Sequence, residues 1–154
     1  MNLEQIIKDY ISSIVHLSLA TSENNKPWVC EVHYAYDDDL NLYFRSKPSR
    51  RHSQEIAKNP YVAGNIVKQH ALGEPGVGVY FEGEARVLET DAERATAFSV
   101  IRDRLKAPDS ILPESQEPDG HHFYKITINT YYLFGAFDGQ PAQKYTLSRN
   151  TAAE

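Results

Sequence analysis

The chain contains a single cysteine, Cys30, so it cannot form an internal disulfide. No apolar stretch approaches the roughly 20 residues that a membrane-spanning helix requires, and the first residues lack the succession of charged, apolar and small residues that is typical of a signal peptide. Cations are also scarce, since 16 Lys and Arg face 21 Asp and Glu and give a formal net charge of -5. This balance argues against general binding to nucleic acid or to an anionic membrane. The absences together predict a cytoplasmic protein in a reducing environment, with a small molecule as its partner.

The length and overall composition of the chain are typical of one folded domain. With 154 residues the chain is long enough to bury a core without cross-links. Ten Tyr and six Phe against a single Met favour strands, because aromatic side chains fit the pleated surface of a sheet. We predict a single domain over residues 1–147 and a frayed tail over residues 148–154.

Changes in hydrophobic period divide the chain into helices and strands. Asn2 followed by Gln5 resembles a capping box, and so does Thr90 followed by Glu93. The predicted helices are an N-terminal amphipathic helix, a short helix over residues 50–58 and a helix over residues 91–105. Alternating patterns predict seven strands, at residues 15–20, 28–36, 40–45, 61–67, 79–88, 123–129 and 131–137.

The short turns between these strands predict antiparallel pairing. Six or seven such strands with helices between them predict a mainly β fold that closes, fully or partly, into a barrel, because a flat sheet of that size would leave long edges exposed. Pro108, Pro113 and Pro118 interrupt the stretch over residues 106–122. Two interpretations of that stretch stay open, a mobile flap over a pocket and a simple connector.

A basic segment at residues 45–52 is unusual in this acidic chain, because it holds four of the sixteen Lys and Arg residues. It follows a predicted strand and leads into a predicted helix, with Pro48 favouring extended backbone and Ser49 expected as the N-cap. Backbone N–H groups and the positive end of the helix dipole would then face an anion beside Arg50, Arg51 and His52, as in phosphate sites. The alternative from these residues alone is a solvated basic turn.

Other polar motifs predict neither a metal site nor a nucleophile. His121 and His122 are adjacent, so on a strand they point to opposite faces and cannot both bind one metal. Cys30 lacks a neighbouring base, since His33 would project from the opposite face of its strand, and a buried apolar thiol is the favoured interpretation. The aspartates at positions 37–39 are expected to form a hairpin turn.

Six segments between residues 19 and 85 form a series of motifs along the chain. They are Leu19-Ala20-Thr21, the run from Lys26 to Val32, the run from Leu42 to Ser46, Ser49-Arg50-Arg51-His52, the run from Asn59 to Ala63, and the run from Tyr80 to Ala85. In order and spacing they resemble the pyridoxamine 5'-phosphate oxidase-like FMN-binding split-barrel family. The Arg51-His52 pair and the Asn59 run are most similar to its YhbP-like branch.

The resemblance implies an antiparallel, six- to seven-stranded Greek-key split barrel that binds FMN at the interface of a homodimer. The isoalloxazine ring would lie along residues 28–33, whose backbone groups reach its polar edge, and the phosphate would be held by Ser46, Arg51 and His52 with Lys47 nearby. The implied cofactor-binding residues are Trp28, Cys30, Glu31, Val32, His33, Phe44, Ser46, Lys47, Arg51 and His52. Aromatic residues near the chain end would complete the partner's site, namely Tyr131, Tyr132, Phe134 and Phe137.

The resemblance also implies an activity, that of a flavin-dependent oxidoreductase of unassigned substrate that reacts with a small molecule or a reduced nicotinamide. The glutamine and the substrate-binding arginine of the vitamin oxidase are not recognisable, so vitamin oxidation is not expected. His52 replaces the family's usual lysine and predicts FMN affinity that falls as the histidine loses its proton. No catalytic residue is identified, and His33 is the nearest candidate for a base.

Two other functions stay open. One is a flavin-binding or flavin-sensing protein without turnover, and the other is a haem-binding split barrel, which His121 and His122 favour. Nucleic-acid binding ranks last, because the basic segment contains no aromatic residue on which a base could stack.

Overall fold

A computed structural model describes residues 2–135 and the backbone of residues 145–148. The strands are β1 (His16–Glu23), β2 (Lys26–His33), β3 (Ala35–Tyr36), β4 (Leu42–Ser46), β5 (Tyr61–Ile66), β6 (Gly78–Val87), β7 (His122–Phe134) and β8 (Tyr145–Ser148). The helices are α1 (Leu3–Ser12), α2 (Arg51–Lys58), α3 (Asp91–Leu105) and α4 (Ile111–Glu114). No helix in the described part of the chain has the length and apolar character needed to cross a membrane.

The strands form one antiparallel sheet in the order β2-β1-β5-β6-β7-β4-β3, and β8 pairs with the end of β7. β2 and β3 lie at opposite ends of this order, yet Tyr34 alone separates them in the sequence. The sheet therefore curls until its two ends meet. The predicted mainly β split barrel is confirmed.

Tyr34 marks the point where the chain leaves one end of the sheet for the other. Its side chain is fully buried, and its hydroxyl donates to the carbonyl of Ile11 at 2.6 Å. The sequence predicts one strand over residues 28–36, because the alternation of side chains continues through Tyr34. The structure divides that strand between two neighbours, since β2 pairs with β1 and β3 pairs with β4.

The two closing strands predicted from the sequence are one continuous strand, β7. The register between β6 and β7 shifts after Glu82, which faces Thr130, so that Gly83 faces Ile128 and Asn129 is the extra residue of a β-bulge. The break in the pattern near residue 130 thus marks a bulge within a strand. Phe137 and residues 149–154 of the predicted tail lie outside the described residues.

Gly83 allows the close approach of β6 and β7 at the bulge. A Cβ atom at this position would lie 2.3 Å from the backbone oxygen of Thr127, and backbone cannot move aside as a side chain can. We expect Gly83→Ala to lower the free energy of unfolding by about 1–3 kcal/mol, the usual cost of overpacking a well-packed region. Gly76→Ala is the matched control, because its nearest neighbour, a ring carbon of His70, would be 3.7 Å away. Equal urea midpoints for the two variants would contradict this prediction.

Two clusters of buried side chains hold the barrel and its flanking helices together. The first fills the barrel beneath α1 and includes Ile7, Ile11 and Phe81. The second joins the outer face of β4 and β7 to α3 and α4, with Ile101 and Ile111 at its centre. Ile111, in the stretch over residues 106–122, is thus buried against the barrel.

The helix caps follow the predictions in two cases out of three. Asn2 accepts from the backbone N–H of Gln5 at 3.1 Å, and Thr90 accepts from that of Glu93 at 3.1 Å, as the capping boxes predict. The predicted cap at Ser49 is wrong, because Arg50 occupies the N-cap position of α2 and, in the part of the chain that the structure describes, no side chain caps this helix. The backbone N–H groups at the start of α2 are therefore not engaged by a capping side chain.

Candidate functional site

A cavity of about 630 Å³ opens where β2 and β4 approach each other, close to the point at which the two ends of the sheet meet. The turn into α2 and the end of α3 complete its walls. The residues that line it are Cys30, Glu31, Val32, His33, Phe44, Arg45, Ser46, Lys47, Arg50, His52, Ile101, Leu105, Ala107 and His121. Its volume is within the usual range for a small-molecule or cofactor site.

Eight of the ten sequence-predicted cofactor residues line this cavity, and Trp28 and Arg51 do not. Arg45 and Arg50 also line it, and both belong to the basic segment, so the sequence contained a signal for them. The remaining lining residues come from distant segments, and of these the sequence singled out His121 alone, as a candidate haem ligand. They are Ile101, Leu105, Ala107 and His121.

β2 contributes a free backbone edge to the cavity. It is the terminal strand of the sheet and, among the described residues, pairs along its length with β1 alone. In an antiparallel ladder, alternate residues of such a strand direct their N–H and C=O groups away from the neighbouring strand. Four consecutive residues of β2, from Cys30 to His33, line the cavity, although alternation assigns Cys30 and His33 to opposite faces. The cavity therefore meets the strand along its edge.

A buried chain of hydrogen bonds underlies the basic turn. The hydroxyl of Ser53 donates to Oγ of Ser46 at 2.9 Å, and Oγ of Ser46 lies 2.8 Å from Nε2 of His52. Burial lowers the pKa of His52 below its ordinary value, and the charge of Arg50 lowers it further, while Glu55 acts in the opposite direction. At neutral pH this shift favours the uncharged ring of His52.

The cations of the basic segment have different roles. Arg45 donates from Nη2 to Oε1 of Glu114 at 2.8 Å, so a carboxylate already neutralises its charge. Lys47 and Arg50 both line the cavity, and neither has an ion-pair partner among the described residues. These two cations are therefore available to a bound anion.

Arg51 contacts a neighbouring part of the molecule. Its Nε donates to Oε2 of Glu55 at 2.9 Å, and its guanidinium lies 4.3 Å from the centre of the Trp28 ring. Glu55 is buried, and its Oε1 accepts a second hydrogen bond from Thr21 at 2.8 Å. The hydrogen bond from Arg51 lowers the pKa of Glu55, and that from Thr21 lowers it further. Arg51 and Trp28 thus attach α2 to β1 and β2.

Cys30 and His33 are the other chemically reactive side chains of the β2 wall. Burial raises the pKa of the Cys30 thiol to about 11, and the nearby charge of Glu31 adds to the effect. The thiol is consequently protonated at neutral pH, in agreement with its interpretation as an apolar side chain rather than a nucleophile. The ring of His33 stacks on that of His16, with 4.4 Å between their centres.

Three of the four aromatic residues proposed for a partner's site lie in the described part of the chain. Tyr131 is fully buried in the core of its own barrel, and its hydroxyl donates to the carbonyl of Leu40 at 2.6 Å. It cannot contact a partner's cofactor, so that prediction is wrong. The hydroxyl of Tyr132 donates to Glu82 at 2.8 Å, and Phe134 is half-exposed beside Tyr80.

The donor set of the cavity fits a flavin mononucleotide. Lys47, Arg50 and the Ser46–His52 pair supply two cations and two polar groups, which suit a phosphate dianion. The free edge of β2 supplies backbone donors and acceptors of the kind that the polar edge of an isoalloxazine ring requires. Apolar side chains such as Leu105 complete the walls.

Comparison with known proteins gives one family and several relatives of the same fold. The family described as pyridoxamine 5'-phosphate oxidase matches residues 3–135. A UPF0306 protein of Pasteurella multocida is 30% identical over 94 residues, which cover 60% of this chain and 63% of that protein. The match thus spans less than two thirds of the relative's length. This similarity agrees with the YhbP-like resemblance in the sequence.

Solved structures share the fold at low sequence identity. A haem-binding protein from Mycobacterium smegmatis superposes with a TM-score of 0.74 at 18% identity, covering 96% of this chain and 58% of that one. An FAD-binding protein from Mesorhizobium loti superposes with a TM-score of 0.61 at 22% identity, covering 85% of this chain and 92% of that one. With the family match over most of its length, the chain belongs to the pyridoxamine 5'-phosphate oxidase family.

Proposed function

We propose that this protein binds FMN in the cavity between β2 and β4 and works as a flavin-dependent oxidoreductase with a reduced nicotinamide as its electron donor. The observation that carries the proposal is that one cavity contains the edge of β2 and a turn with two cations, and that neither the edge nor the cations have partners there among the described residues. A bound flavin would supply hydride transfer, and the protein would supply binding and orientation.

The phosphate would be held by the basic turn. Lys47 and Arg50 provide charge, and Ser46 and His52 provide short hydrogen bonds from positions that the Ser53 hydroxyl fixes. Phosphate binding would favour the protonated form of His52, because a nearby dianion stabilises the charged imidazole. Both ring nitrogens would then be hydrogen-bond donors. The ring system would then extend along the edge of β2.

Titration with FMN and with riboflavin tests this assignment. The two ligands share the ring system and differ in the phosphate, so flavin fluorescence should give an affinity for FMN that is at least about 100-fold higher, as expected for two or more charge-assisted hydrogen bonds. Equal affinities would place the binding determinants outside the basic turn.

Consumption of NADH by the FMN-loaded protein, compared with free FMN, then tests the oxidoreductase part of the proposal. A rate no higher than that of free FMN would support the alternative of a flavin-binding protein without turnover.

Haem is the second candidate ligand, because His121 lines the same cavity and a haem-binding protein shares the fold. The absorption spectrum of the freshly purified protein separates the two ligands. Flavin and haem have different visible absorption bands, and an intense Soret band belongs to haem alone. A Soret band that His121→Ala abolishes would replace flavin by haem in this proposal.

A homodimer with the cofactor at its interface completes the proposed function. Apolar side chains on the surface of the barrel support it, since Val29 of β2 is 59% exposed and Phe134 is 50% exposed. Phe134 also stacks on the exposed ring of Tyr80, with 5.8 Å between the ring centres. Sedimentation equilibrium at micromolar concentrations tests the assembly, and a monomer that binds FMN at full affinity would contradict it.

We expect FMN affinity to fall by about tenfold as the pH rises from 6.5 to 8.5, because binding of the dianion takes up a proton at His52. The pKa of His52 in the free protein lies below its ordinary value, so the ring is already uncharged over this range, and the proton must come from solvent on binding. The phosphate itself is a dianion above pH 6 or thereabouts and adds little to the trend. His52→Asn should give a weaker but pH-independent affinity. A dissociation constant that does not change with pH in the unmodified protein would refute the role of His52.

A further inference from the structure

One carboxylate on the segment after α3 holds both an arginine and a histidine of the cavity wall. Oε2 of Glu114 accepts two hydrogen bonds from His121, one from its backbone N–H at 2.8 Å and one from ring Nδ1 at 2.6 Å. Oε1 of the same carboxylate accepts from Nη2 of Arg45 at 2.8 Å. Glu114 is therefore fixed from β4 and from the residue that precedes β7.

This arrangement sets the tautomer of His121. An ionised carboxylate can only accept, so Nδ1 carries the proton and Nε2 is the ring nitrogen left for other contacts. Hydrogen bonds from the backbone and ring of His121 lower the pKa of Glu114, and the charge of Arg45 lowers it further, so the carboxylate stays ionised at neutral pH. Nε2 of His121 has no hydrogen-bond partner among the described residues, and His121 lines the cavity.

The cavity that His121 lines also has apolar side chains from α3 and the loop that follows it. α3 contributes Ile101 and Leu105, and the loop after it contributes Ala107. The charge of Arg45, which also lines the cavity, is balanced by Glu114, and the ring of His121 adds a hydrogen-bonding nitrogen beside these apolar side chains. Such a surface suits an uncharged organic ring whose oxygen or nitrogen atom can exchange a proton with Nε2 of His121.

We propose that His121 is a catalytic residue that exchanges a proton at Nε2 with the acceptor atom of an uncharged, ring-bearing substrate, and that Glu114 is its positioning residue. The inference rests on the proposed flavin function. For a quinone, the reduced nicotinamide supplies two electrons and one proton as a hydride, Nε2–H of protonated His121 supplies the second proton, and hydroquinone and oxidised nicotinamide leave. His121 then recovers its proton from solvent.

The other histidines lack this arrangement. His33 lines the cavity, but its ring stacks on His16, and no carboxylate orients it among the described residues. His122 does not line the cavity, and its Nε2 lies 2.7 Å from the carbonyl oxygen of Glu117. His122 is therefore a matched control, adjacent in sequence and outside the proposed site.

The first test needs no cofactor. Nitrogen-15 NMR of the histidine rings in the flavin-free protein should show His121 protonated at Nδ1 near neutral pH. In Glu114→Ala the ring should change to the Nε2–H form that free histidine prefers, while the signals of His122 stay unchanged. An Nε2–H form of His121 in the unmodified protein would overturn the inference, whatever the protein binds.

The second test uses the FMN-loaded protein with NADH and menadione as a quinone probe. His121→Ala should lower kcat by at least about 100-fold, the usual contribution of a proton donor, with FMN affinity unchanged within threefold. His122→Ala should leave both kcat and FMN affinity unchanged. Failure of the unmodified protein to bind FMN would refute the proposed function, whereas FMN binding with equal turnover by His121→Ala and the unmodified protein would refute the role of His121 alone.

Discussion

Replacing Arg50 with alanine is expected to weaken FMN binding by roughly one to two orders of magnitude, since a charge-assisted hydrogen bond to phosphate contributes about 1.5–3 kcal/mol. Arg50 lines the cavity at the start of α2 and has no ion-pair partner among the described residues. Its charge is therefore free to bind an anion. Fluorescence titration of FMN at fixed ionic strength measures the effect.

The neighbouring Arg51→Ala is the matched control, because it removes the same charge one residue away. The sequence assigns the phosphate to Arg51, but in the structure its Nε is bound to Glu55 and its guanidinium covers Trp28. We expect Arg51→Ala to change FMN affinity by less than about threefold, as for a screened charge outside the site. If Arg51→Ala weakened binding more than Arg50→Ala, the phosphate would be bound by the residue that the sequence indicates and our assignment to Arg50 would be wrong.

Arg104→Ala is expected to have the largest effect on folding, a loss of about 3–5 kcal/mol of unfolding free energy. The guanidinium of Arg104 donates to the carbonyls of Ile11, Ser12 and Ile14 at the end of α1, and to that of Tyr34. It therefore binds carbonyl groups at and beyond the last turn of α1, adding to the hydrogen bond that Tyr34 already gives Ile11, and places a positive charge at the negative end of the helix dipole.

The position of Arg104 explains why one side chain has such an effect. Arg104 links α3 to α1 and to Tyr34, the residue at which the chain passes from β2 to β3. The ring of Tyr34 lies 4.8 Å from the guanidinium. Arg102→Ala is the control, because Arg102 is exposed and pairs at the surface with Asp103 and Asp109, where ion pairs contribute little. Denaturant unfolding compares the two variants. Equal midpoints would show that the capping of α1 by Arg104 is unimportant for stability.

The predictions from sequence succeeded where the determinants are local. The capping residues Asn2 and Thr90 each act on a backbone N–H three residues away, and both caps are present in the structure. The basic turn follows β4 as predicted, because the strand pattern, Pro48 and the run of cations are adjacent in the sequence. Ser49 fails as a cap because the helix begins one residue later than its pattern suggests.

The predictions failed where a contact joins distant segments. Tyr34 divides a strand that reads as continuous, because the pairing of β2 with β1 and of β3 with β4 depends on how the whole sheet curls. The bulge at Asn129 looks like a turn in the sequence, since a single extra residue disturbs the alternation in the same way. Neither event has a signal within its own segment.

The amino-acid sequence by itself determined most of the strands, three of the four described helices, the family and the location of the basic turn, because these depend on periodicity and on short motifs. The tertiary structure decided which of two adjacent arginines lines the cavity, since the first turn of α2 directs Arg51 toward Glu55 and leaves Arg50 beside Lys47. It also decided that His121 and Glu114 join the site, because the packing of the segment after α3 brings them to β4. A side chain's partners depend on the packing of segments far apart in the chain, and that packing exists only in the folded molecule.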